Sequence, residues 1–204
     1  MNGHVAATVG GVPVLVSDVD IRETRLRTSR LAAALPRPGT SEGRQLRRWL
    51  TQLVVTERVV TAEAAARDVT ADGAPTEGEL LPDVTARLEI GSVAASALEH
   101  PLARALFADV TVDVDVSEGD VADYHARNPF RFAAPSPAAG GWHDRAAAPA
   151  LADVRHTITE HLLAAARRRS FRVWLDARRA VLVELAPGYE HPGDPRQPDN
   201  THKH

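Results

Sequence analysis

The chain contains no cysteine in 204 residues, which excludes disulfide staples, thiolate nucleophiles and cysteine-ligated metal centres together. Aromatic residues are scarce at 4% and methionine occurs once, while hydrophobic residues as a class reach 44%, so alanine, leucine and valine must fill the interior. Small side chains of that kind favour closely packed helices. Positive charge has no surplus: 24 Lys and Arg stand against 27 Asp and Glu, a formal net charge of -3. Such a balance supplies no field for wrapping phosphates, and nucleic acid is not an expected partner. No run approaches the roughly 18 apolar residues of a membrane span, and the N-terminus has no basic segment leading into an apolar stretch. These absences set the expectation of a cytoplasmic protein with no membrane span.

What the chain does contain is a succession of helix starts and stops. Val5-Ala-Ala-Thr-Val9 and Val12-Pro-Val-Leu-Val16 flank Gly10-Gly11, a pair that tolerates positive φ, and predict a hairpin. Ser17 is placed to cap a helix to about Leu35, ended by Pro36-Arg-Pro-Gly39. From Ser41 to about Arg67, Leu46, Trp49, Leu50, Leu53, Val54, Val60 and Ala64 recur at intervals of three and four, and Glu57 alone interrupts that stripe with a charge. Thr76 and Glu79 form a capping box, after which Pro82 must kink the helix or shift its start. Ile90 to about Phe107 reads as helix with a break at His100-Pro101. The alternation of Val110-Thr-Val-Asp-Val-Asp-Val116 predicts a brief strand able to join the hairpin. Ser117 and Asp120 open a further helix that Pro129 stops. Beyond a Pro/Gly-rich linker at 133–150, Leu151, Val154, Ile158, Leu162, Ala165, Phe171, Trp174 and Leu175 mark one long helix, whose stripe fades at Arg178. Val181 to Leu185 adds a last strand.

Several of these segments resemble the peptidyl-prolyl isomerase chaperones of the SurA/PpiC (trigger-factor/SurA) type. The stretch from Val114 to Phe132, ending in Asn128-Pro-Phe-Arg-Phe132, is similar to the passage from their helical chaperone module into the parvulin domain. Gly10-Gly11-Val-Pro-Val and Ser17-Asp-Val-Asp20 resemble their opening hairpin and first helix, and Gln52-Leu53 through Glu63-Ala64 a later one. The resemblance implies a mainly α protein, a SurA N-terminal-like helical bundle with a small β-hairpin or sheet. Residues 1–187 would form that domain, with the long helix near 150–179 closing onto the N-terminal helices, and 188–204 a disordered His/Pro-rich tail. The linker at 133–150 stands where the isomerase would be inserted and is too short to hold it. The implied role is a non-catalytic chaperone or interaction scaffold for a polypeptide or hydrophobic small-molecule client, with Trp49, Leu53, Phe130, Phe132, Phe171 and Trp174 lining the client groove. The chain also resembles a small actinobacterial group met beside aromatic polyketide genes. That likeness implies the alternative of a small-molecule enzyme or accessory protein with histidines in a helical pocket. A malonyltransferase would need a serine nucleophile on an elbow with a matched histidine, and neither is visible. Homo-oligomer formation is left open.

Nine histidines raise the question of metal or acid–base chemistry. His156 and His161 point about 140° apart on a helix, so the zinc-protease pattern does not form, and a solvated surface is expected there. Tyr124 reads as core and His125 as exposed. In the tail, His191, Asp194, Asp199, His202 and His204 have the donor types for a weakly held divalent ion, set against a terminus whose prolines and glycines oppose folding. No other cofactor is expected.

Overall fold

A computed structural model of the protein describes residues 4–133 and 148–193. The molecule is mainly helical with a small three-stranded antiparallel sheet, in the order β2-β1-β3. Strands β1 (Val5–Val9) and β2 (Val12–Leu15) meet through Gly10 and Gly11, whose φ values of 56° and 81° give the doubly left-handed turn that matches strand twist. Helix α1 spans Val16–Arg27. Ser17 is not its cap: Leu15 occupies that position, and its N–H donates to the Asp18 carboxylate at 3.1 Å. The helix also stops short of Leu35, because the Thr28 hydroxyl donates to the carbonyls of Thr24 and Arg25 and the Ser29 hydroxyl to that of Leu26. Those hydroxyls take the bonds that a continuing helix would have made. A 3-10 turn at Ala32–Ala34 follows.

Helix α2 (Ser41–Ala66), capped by the Thr40 hydroxyl accepting from the Gly43 N–H at 3.1 Å, is the axis of the molecule. Every residue from Leu50 to Thr56 is buried, because β1, α1 and three later helices surround it. The next elements are α3 (Glu77–Leu80), ended ahead of Pro82, and α4 (Val84–Ile90), capped by Asp83 accepting from Ala86 at 2.8 Å. Gly91, at φ 88°, separates α4 from α5 (Ser92–Ala97), and α6 (Pro101–Val110) starts on proline, which needs no N–H partner there. The strand expected at 110–116 does not form. The Thr111 hydroxyl donates back to the Phe107 carbonyl at 2.7 Å and closes α6, leaving Val112 exposed.

Helix α7 (Glu118–Arg127) leads to α8 (Leu151–Leu182), which packs on α7, α4, α2 and α6 before β3 (Val183–Leu185) pairs with β1. The sheet's third strand thus comes from the far end of the chain. The main core gathers Val55 and Val59 of α2, Ile90, Leu106, Phe107, Phe171 and Leu175. Arg178 ends the apolar stripe of α8 because it meets buried Glu63, with N to O distances of 2.6 and 2.7 Å. About three turns earlier on α8, Arg168 is buried against Glu89 at 2.9 Å. Among the described residues no helix is long and apolar enough to cross a membrane.

The predicted tail begins as packed structure. Tyr189 joins the cluster of Ala6, Val19, Leu50 and Leu53, and the Gln52 side chain donates to its carbonyl at 3.3 Å. Arg179 pairs with the oxygen of that same Gln52, and burial pushes its guanidinium down against the opposing pull of Asp176. Sequence composition favoured disorder here; the buried polar residues Gln52 and Arg48 of α2, which donate to the Tyr189 and Gly188 carbonyls at 3.3 and 3.4 Å, supply the anchor for these first residues instead.

Two capping boxes carry a pH dependence. The Ser117 hydroxyl and N–H donate to Asp120 at 2.6 and 3.2 Å, and the Thr76 N–H and hydroxyl donate to Glu79 at 2.6 and 2.8 Å. These bonds hold both carboxyls below their ordinary values. A depressed folded value means that the contribution is present above the unfolded carboxylate range, near pH ~4, and is lost as pH falls through the folded values. Acidification below pH ~4 is therefore expected to reduce the amide-exchange protection of the first turn of α7, after correction for intrinsic rates. Asp120→Asn should make that protection insensitive to pH in this window; an unchanged titration in the variant would exclude the box as its source.

Candidate functional site

One face of the molecule carries a row of three depressions along α2. Trp49, Leu53, Glu57 and Val60 recur at helical spacing and so share a side, covering about 16 Å of helix axis. At the N-terminal end, a cavity of about 410 Å³ lies between α1, α2 and α5, lined by Leu26, Leu31, Trp49 and Leu53. At the other end, a cavity of about 390 Å³ lies where α5 hands over to α6, with Val60, Ala97, Pro101 and Leu102 as its apolar wall. A third depression of about 310 Å³ lies between α1 and α2. Arg22 borders the first and third, and Glu57 the second and third, so the three adjoin.

Between the apolar ends stands a small polar cluster. One Glu57 oxygen faces the Arg22 guanidinium at 3.1 Å and the His100 imidazole at 3.6 Å. Arg22 and Glu57 are about two-thirds covered, whereas His100 is half exposed. Glu57 comes from the middle of the otherwise apolar stripe, and His100 from the break imposed by Pro101. Both were visible as irregularities in the sequence, but their meeting was not, because 43 positions separate them. Arg22, Leu31 and Leu102 gave no signal: each sits in a segment whose local pattern is satisfied by an ordinary exposed helix or turn. The cluster can orient polar backbone or a polar substituent through the free edge of His100 and the guanidinium, while the flanking cavities take apolar groups.

The structure divides the six expected client residues into separate groups. Trp49 and Leu53 line the first cavity. Phe171 and Trp174 stack on one another with centroids 5.6 Å apart, Phe171 being wholly buried against Phe107 and Trp174 lying under Arg67. Phe132 packs beside Tyr124 in the α7–α8 cluster, and Phe130 is exposed beyond α7. They do not line one groove. The apolar face of α8 turns into the main core, and Phe132 packs on the first half of α8, whereas Trp49 and Leu53 belong to a third cluster with Ala6, Val19 and Leu50. Trp49 and Trp174 nonetheless flank the same axial helix.

The histidines among the described residues likewise lie on several different elements. Tyr124 is half-buried, and its hydroxyl lies 3.2 Å from the His161 imidazole. His125 is not exposed as expected: it is half-buried, and its Nε2 donates to the Pro149 carbonyl at 2.9 Å, tying α7 to the entry of α8. His156 and Glu160 face solvent as an i,i+4 pair at 3.2 Å. His191 accepts from the Gly193 N–H at 3.0 Å, while its proposed partners Asp194, Asp199, His202 and His204 lie outside the described residues. Among the described residues no three His, Asp or Glu side chains gather as metal donors.

Residues 5–42 match the model of a family of unknown function (DUF7158). That segment comprises the hairpin, α1 and the opening turn of α2, and therefore includes Arg22 and Leu31 of the first cavity. No curated protein and no solved structure matches the chain.

Proposed function

We propose that the protein is a non-catalytic, SurA-like binding scaffold that holds an extended apolar polypeptide segment along α2. The observation that supports this reading is the row of apolar cavities around Trp49–Leu53 and Val60–Leu102, interrupted by the polar Arg22–Glu57–His100 cluster. An extended strand rises about 3.3 Å per residue, so about five residues cover the ~16 Å between the two ends. Side chains at the segment's ends would fill the cavities, and the cluster would meet its backbone. This is a mode of recognition in which pockets give selectivity and main-chain contacts give register.

Leu31 provides the cleanest test, since it lines the first cavity while 59% exposed and can be replaced without opening the core. Titration with a short Leu/Phe-rich peptide is expected to shift the fluorescence of Trp49 saturably, and Leu31→Asp to weaken binding about tenfold, or ~1.4 kcal/mol. Val173→Asp, an equally exposed change on α8, should leave affinity unaltered. Absence of saturable binding at micromolar peptide, or equal losses in both variants, would remove the proposal. The Glu57–His100 pair at the edge of the 390 Å³ cavity favours a second reading, a small aromatic ligand taken by an accessory protein of aromatic polyketide biosynthesis. In the same titration, tight binding of 2-naphthol with no response to the peptide would select that reading.

A further inference from the structure

A further depression of about 580 Å³, sharing no lining residue with the three along α2, lies between the turn at Gly73–Pro75, α3, α6 and α8. Its size is that of a small-molecule site. Leu80, Phe107, Leu163 and Ala164 give it an apolar floor, and four charged side chains reach it: Glu79, Glu160, Arg167 and Arg168. Three of these are engaged elsewhere. Glu79 accepts the bonds of the Thr76 capping box, Glu160 faces His156 at 3.2 Å, and Arg168 is bound to Glu89 at 2.9 Å. Arg167 has no hydrogen-bond or ion-pair partner among the described residues, and its Nε is buried.

A covered guanidinium N–H without an acceptor is costly, and the cost is removed by an anion placed against it. Beside Arg167 the lining combines the apolar side chains of Leu80, Phe107, Leu163 and Ala164 with the already engaged Glu79, Glu160 and Arg168, so an anion on Arg167 that carries a hydrocarbon body would set that body on the apolar part. We propose that this depression binds a small carboxylate with an apolar chain or ring, its carboxylate on Arg167 and its body against Leu80, Phe107 and Leu163. Planar guanidinium and carboxylate groups match in geometry, which selects carboxylate over a neutral alcohol of equal length. The site is independent of the α2 groove.

Decanoate and decanol, titrated calorimetrically into the full-length protein, test the proposal. Decanoate is expected to bind saturably at one site and at least tenfold more tightly than decanol. Arg167→Gln should weaken decanoate at least tenfold and abolish the preference over decanol, with Arg167→Lys intermediate. Ala108→Trp, an exposed position on the rim, should block the depression and remove binding, whereas Leu31→Asp should leave it intact. Equal affinity for the acid and the alcohol, or an Arg167→Gln protein that binds decanoate as the parent does, would overturn the assignment. So would decanoate binding that Ala108→Trp leaves unchanged.

Discussion

Phe171→Ala is expected to cost about 3–5 kcal/mol and bring the protein close to unfolding at ambient temperature. Phe171 is 0% exposed, sits 5.0 Å from the Phe107 ring and 5.6 Å from that of Trp174, and joins α8 to α6 and the axial helix. In a chain so poor in aromatic residues, few other side chains have the volume to fill this space, and neighbouring alanines and valines cannot reach across the void. Lost burial and the residual cavity therefore add. Phe171→Leu should lose less than half as much, because it keeps most of the volume. Urea unfolding monitored by circular dichroism reads both. A midpoint in Phe171→Ala within error of the parent would show that α8 is not seated on the core through this ring. The same placement removes Phe171 as a direct client contact: a peptide would have to open the core to reach it.

Gly43→Ala provides a test in which local and tertiary physics have opposite signs. Position 43 lies in the first turn of α2, where alanine is ordinarily the better helix former by about 1 kcal/mol. A Cβ at that position would stand 2.3 Å from the Arg37 carbonyl oxygen and 3.2 Å from its carbon. The Arg37 carbonyl cannot move freely, since it accepts from the Thr40 hydroxyl at 2.9 Å, and that hydroxyl in turn accepts from Gly43. Relieving the clash would displace the loop and the cap together. The expected outcome is a net loss of about 1–3 kcal/mol in urea unfolding, with weakened amide protection at Gly43 and its neighbours. A gain in stability would mean that the Pro36–Gly39 loop does not lie against the helix.

Local signals were legible wherever a few neighbouring residues settle the matter. Gly10-Gly11, Thr76 with Glu79, Ser117 with Asp120, and Pro101 marked turns and helix starts that the structure contains, because each acts through hydrogen bonds or backbone limits within four positions. The long periodic stripes of α2 and α8 announced their helices for the same reason. Failures occurred where a local competitor was overlooked. The Thr28 and Ser29 hydroxyls ended α1 early, and the Thr111 hydroxyl turned a strand-like alternation into a helix stop.

The mainly helical class with a small sheet was determined by the sequence itself, through periodicity, capping and the scarcity of large side chains. Only the tertiary structure decided which residues share a surface. It gave β1 its partner from 183–185, turned Phe171 inward, made Glu63 the answer to Arg178, and brought His100 to Glu57 between two cavities. Each of these is a meeting across many positions, whose free energy depends on how whole helices stack around α2. A helical stripe records that a face must be covered; it does not record by what.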